Sequence, residues 1–137
     1  MLVRFCIIFI GFLLTIKFAS ADIVDVNNAQ IKELSKNNIP IVDKRRSSEW
    51  DQTGVVSKSI LLTFFDKEGN YNYDEWYEKL RLEIDEGKPI ILICRTGRRT
   101  KIIAEMMDKK LDNVIYNAKN GITSWIDEKL ITIKPQY

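Results

Sequence analysis

The run Ile90-Ile91-Leu92-Ile93, entered from Pro89 and closed by Cys94, leaves this chain the fewest options. Four consecutive apolar residues, three of them β-branched, have no polar side to turn toward water. A strand built from them must be covered on both faces. The covers are expected on either side in sequence. Asn72 with Glu75 reads as a capping box, Tyr71 with Trp76 as a hydrophobic staple, and the helix they start should run to about Glu86, stopped by Gly87 and Pro89. From Thr100 to Leu111 the apolar residues Ile102, Ile103, Met106, Met107 and Leu111 recur at helical spacing. The same alternation runs through the rest of the chain. Asn28–Lys36 is expected as a helix, Pro40–Val42 as a strand ending at Asp43, and Ser47–Trp50 as a helix start. Ser59–Thr63 is expected as a strand, Val114–Tyr116 as a last buried strand, and Asn120-Gly121 as a turn. The fold class is therefore α/β, with a mainly parallel sheet flanked by helices on both faces.

The first 21 residues read differently. A basic start at Arg4, an apolar run from Phe5 to Ile16 and Ala19-Ser20-Ala21 form the three regions of a secretory signal. Lys17 ends the apolar run short of the roughly 20 residues that a membrane-spanning helix needs, although a retained anchor is the rival reading. The domain layout is thus 1–21 signal peptide and 22–137 a single domain, placing the protein in a periplasm or outside the cell, with no stable membrane span once the leader is removed. The chain has 21 basic and 19 acidic side chains. Arg4 and Lys17 of the leader account for the whole excess, so charge gives no case for nucleic acid. Of the two cysteines, Cys6 lies in the leader and Cys94 stands alone, without a disulfide partner. The absence of histidine removes Cys-His and Ser-His-Asp catalysis and most zinc sites; no metal and no cofactor are implied.

In parallel sheets, ligands gather beyond the carboxyl ends of the strands. Cys94 falls at such an end, followed by Arg95, Thr96, Gly97, Arg98 and Arg99 as a loop leading into a helix that begins near Thr100. Backbone N–H groups at a helix N-terminus converge on anions. Gly97 lets the loop take positive φ, and three arginines add charge. These conditions lower a thiol pKa, so the thiolate forms without a neighbouring imidazole. Two plainer readings stand beside this one: an inert buried thiol and a solvated basic turn. Cysteine phosphatases space their arginine as C-x5-R. Here Thr100 holds that position and Arg99 gives C-x4-R, a smaller cradle that suits a terminal sulfur better than a phosphate.

CRTGRRT after PIILI resembles the active-site loop of single-domain rhodaneses, the thiosulfate sulfurtransferases. IVDKRRSSEW (41–50) resembles the family's early V-D-x-R…E-W/Y segment. TGVVSKSILLTFFDKEGNYN (53–72) is similar to the stretch that follows it, and VIYNAKNGITSW (114–125) to the closing V-x-N-x-x-G-G-I-x-x-W segment. Lys58 and Asn120 depart from it where the family has glycine.

The resemblance implies five parallel strands and a persulfide carried on Cys94. It also implies anion binding by Arg95, Thr96, Gly97, Arg98, Arg99 and Thr100, and a supporting ion pair of Asp43 with Arg45. Trp50 and Trp125 would be packing residues. The implied partners are a small anionic sulfur donor such as thiosulfate and a cyanide or thiol acceptor. Two other functions remain open. One is a persulfide carrier serving a partner protein with little turnover of free thiosulfate; the other is a redox sensor that oxidises reversibly.

Overall fold

A computed structural model describes residues 22–108 and 114–137. The expected leader and the far end of the helix expected to reach Leu111 lie outside the described residues. The elements are β1 (Asp22–Val26), α1 (Asn28–Lys36), β2 (Ile41–Asp43), α2 (Ser47–Thr53), β3 (Ile60–Leu61), α3 (Tyr73–Glu83), β4 (Ile90–Ile93), α4 (Arg98–Asp108), β5 (Val114–Ala118) and α5 (Gly121–Asp127). The five strands form one sheet in the order β1-β5-β4-β2-β3, every pairing parallel.

β4 lies at the centre, and its four residues are all buried, as an unbroken apolar strand requires. Alternation divides them between two cores. Ile90 and Leu92 join Val42 and Ile115 against Trp76 and Leu80 of α3 and Ile103, Ala104 and Met107 of α4. Ile91 and Ile93 join Ile41 and Ala118 against Ile31 of α1 and Ile122 and Trp125 of α5. Each aliphatic side chain buried this way contributes about 1.5–3 kcal/mol relative to exposure. Trp50 is buried as well.

Several boundaries differ from the sequence-based expectations. β1 was not expected: Ile23, Val24 and Val26 are apolar but follow no strict alternation, four of the five residues are exposed, and pairing with β5 is what places the segment in the sheet. β3 keeps only two of the five residues expected. Asn72 caps α3 by accepting from the Glu75 N–H, but the Glu75 carboxylate turns to Lys79 instead of closing the box. Tyr71 and Trp76 both pack on Phe64, at 5.1 and 5.2 Å between ring centroids. α4 begins at Arg98, two residues before the expected start, which shortens the loop after Cys94 to three residues. Lys58 holds φ +64° in the turn where a glycine would be at ease, whereas Asn120 keeps an ordinary φ of −108°.

One buried ion pair ties the sheet to α2. Arg45 and Asp43 both have fully buried side chains, 2.7 Å apart. The remaining guanidinium donors reach Thr53 Oγ1 and the carbonyls of Glu49 and Gly54. Removing one partner leaves an uncompensated buried charge, so Arg45→Met should cost about 3–5 kcal/mol in urea unfolding. Adding Asp43→Asn should recover part of that loss; a single variant as stable as the wild type would contradict the pairing.

Candidate active site

Cys94 follows β4 directly and is 1% exposed. It is not sealed in hydrocarbon. The Gly97 N–H donates to Sγ at 3.1 Å, and α4 starts at the next residue with its N-terminus over the sulfur, where N–H groups and the helix dipole favour an anion. Burial pushes the thiol pKa up. The Lys44 ammonium, the Thr100 hydroxyl and the Thr100 and Thr96 N–H groups more than reverse this and hold it below its ordinary value. Thr100 Oγ1 is buried and makes no well-formed hydrogen bond among the described residues, yet it lies near enough to favour the thiolate.

The loop is clamped by the turn between β5 and α5. The Cys94 carbonyl accepts from Ile122 N–H at 2.8 Å, and the Arg95 carbonyl from Thr123 N–H at 3.1 Å and Thr123 Oγ1 at 2.8 Å. Two glycines make this approach feasible. Gly97 has φ +88°, and a Cβ there would run into the Lys119 carbonyl; Gly121 has φ +58°, and a Cβ there would strike the backbone of Cys94 and Arg95. Asn120 needs no positive φ because Gly121 provides it.

The three arginines separate. Arg95 and Arg98 are exposed, on opposite sides of the loop. Arg98 lines a cleft of about 430 Å³ with Thr96, Lys101 and Lys119, and Arg95 lines one of about 150 Å³ with Glu49 and Thr123. Arg99 is drawn away from the loop mouth into a two-pronged ion pair with Glu49, at 3.0 and 2.6 Å. Its charge still acts on Cys94.

Two residues at the site were not among those expected from sequence. Glu49 lies in the first turn of α2 and fixes Arg99 across 50 positions of chain. Lys44 is 1% exposed, between Asp43 and Arg45, and its Nζ has no hydrogen-bond partner among the described residues. Burial lowers its pKa to about 7, helped by Arg99 and opposed by the Cys94 sulfur and Asp43. The available signal was a lysine at the carboxyl end of a strand, next to a cysteine site with no histidine.

The family model for the rhodanese-like domain matches residues 22–128. Rv0390 from M. tuberculosis is similar in structure at 24% identity and TM-score 0.70, with 85% of this chain and 100% of that chain covered. A rhodanese-related protein from Thermoplasma volcanium is similar at 25% identity and TM-score 0.59, covering 82% and 99%. CoADR-RHD of Bacillus anthracis, in reduced form, is similar at 23% identity and TM-score 0.60, covering 81% of this chain and 18% of that one. No curated protein gave a match.

The Glu49 carboxyl titrates at about 2. Burial raises it, but hydrogen bonds from Arg99 and Arg46 pull it well below the ordinary 4.5. A depressed carboxyl stabilises the fold fully above pH 4.5 and loses that contribution as pH falls toward 2. Glu49→Gln should remove this acid dependence and lower stability at pH 7 by about 1 kcal/mol, the pair being partly screened by solvent. Urea unfolding from pH 2 to 7 reads both, and an unchanged acid limb would refute the pairing. Gly121→Ala should cost about 2–4 kcal/mol and unseat the loop, read as altered alkylation of Cys94 in whatever fraction remains folded.

Proposed function

The chain belongs to the rhodanese-like domain family, and from that premise we propose that it is a sulfurtransferase that moves sulfane sulfur from a thiosulfate-like dianion to a thiophilic acceptor through a persulfide on Cys94. The observation that carries this reading is a sulfur at the end of β4 that accepts the Gly97 N–H beneath the start of α4 and is held below its ordinary pKa. A thiolate there needs no imidazole to act as a nucleophile.

Arg95 and Arg98, exposed on either side of the loop, draw the dianion in. Thr96, Gly97 and Thr100 supply the groups that meet its charge. The Cys94 thiolate attacks the outer sulfur; the bond from that sulfur to the sulfonate sulfur breaks, and sulfite leaves with the bonding pair. Cys94 then carries a persulfide anion, which rests on the same donors. Cyanide or a thiolate attacks the terminal sulfur, leaves as thiocyanate or an acceptor persulfide, and returns Cys94 to thiolate. Charge balances at each step, and the cycle calls on no redox cofactor. Asp43 with Arg45, and Glu49 with Arg99, hold the frame. Residues 1–21 as an export signal would place this chemistry in a periplasm or outside the cell.

Purified protein given thiosulfate and cyanide should release sulfite and thiocyanate. Cys94→Ser should lower both by about three orders of magnitude or more. Undiminished turnover in that variant would remove the mechanism. A single-sulfur adduct on the wild type without thiocyanate turnover would instead make the protein a persulfide carrier.

A further inference from the structure

Resting on the thiol chemistry proposed above, we propose that Lys44 is the positioning residue that keeps the Cys94 sulfur ionised, taking the part an imidazole plays in other thiol enzymes. The sheet register places it there. Asp43 pairs with Ile93, and the Lys44 N–H donates to the Ile93 carbonyl at 3.2 Å, so the next residues along the two strands, Lys44 and Cys94, are neighbours. Alternation gives the side: Val42 with Leu92 face the core under α3 and α4, Asp43 with Ile93 face the other way, and Lys44 with Cys94 return to the first face. The α4 residue Thr100, fully buried, lies beside the Cys94 sulfur.

The charges facing Lys44 are few, and two of them are already engaged. Asp43 is bound by Arg45, and Arg99 is bound by Glu49. What remains for the buried ammonium is the sulfur. A buried amine with neither hydrogen-bond partner nor counterion sheds its proton, and a buried thiol with no cation keeps its own. Side by side, each removes the other's penalty: the S–H bond breaks, its electron pair stays on sulfur, and the proton settles on Nζ. The two groups therefore titrate as a pair, not as separate sites. The lowered Lys44 pKa, about 7, keeps that exchange within reach of neutral pH. During sulfur transfer the anionic terminal sulfur of the persulfide replaces the thiolate as the anion opposite Lys44.

The test is the pH profile of Cys94 alkylation by iodoacetamide, from about pH 5 to 10, in the purified full chain and in Lys44→Met and Lys44→Gln. The wild-type midpoint should lie below the ordinary 9.0. In both variants it should rise by about one pH unit or more, with alkylation at pH 7 down about tenfold. The methionine variant should melt no lower than the wild type, because it replaces a buried unpartnered amine with hydrocarbon of similar length. A purely structural lysine would lower the melting temperature and leave the midpoint in place, and an unmoved midpoint in either folded variant overturns the proposal. Mass spectrometry of the wild type after thiosulfate separates the two ideas. A shifted midpoint without a sulfur adduct removes the sulfurtransferase reading and upholds Lys44; an adduct with an unmoved midpoint does the reverse.

Discussion

The close approach of two loops governs the rest of this structure. The turn after β5 lies on the turn after β4 at backbone distance, with Gly97 over Lys119 and Gly121 over Cys94 and Arg95. Main-chain bonds from Ile122 and Thr123 hold the contact. With the Cys94 and Arg95 carbonyls pulled toward α5, the N–H groups of the loop turn the other way, onto the sulfur. An anion-favouring site needs its donors fixed before the anion forms, and this clamp fixes them.

A second layer of order runs through charge. Three consecutive ionisable residues, Asp43, Lys44 and Arg45, are each 1% exposed or less. Such a run is tolerable only where every charge is answered. Arg45 spends its donors on Asp43, on the last turn of α2 and on the Gly54 carbonyl, which fixes α2 against the sheet. α2 in turn presents Glu49, which takes Arg99 from the first turn of α4. The two ion pairs form a chain of support from the sheet end to the helix that covers the sulfur. Of the three side chains, only that of Lys44 has no ion pair or hydrogen bond among the described residues, and the Cys94 sulfur is the anion it feels most.

The arginine-rich stretch shows how far local sequence reaches. Read in line, Arg95, Arg98 and Arg99 look like one basic cluster around a thiol. In space they have three surroundings: two flank the loop in solvent, and the third is held by a glutamate 50 residues away. The helix start moved for a related reason. Arg98 and Arg99 are good helix formers, but the four charged or polar residues from Arg98 to Lys101 give no apolar periodicity by which to place the first turn.

Local sequence carries the α/β class, the central buried strand, the cysteine at its carboxyl end and the glycine that lets the loop turn. These are local matters: apolar periodicity and backbone freedom are properties of neighbouring residues. Long-range packing settles β1, whose exposed residues join the sheet beside β5, and the second glycine contact, which exists only where two distant turns meet. It also decides the counterpart of the sulfur. Lys44 and Cys94 are 50 positions apart in the chain, and only the pairing of β2 with β4 makes them neighbours. Strand register is set by the packing of both sheet faces at once, and no short stretch of sequence contains it.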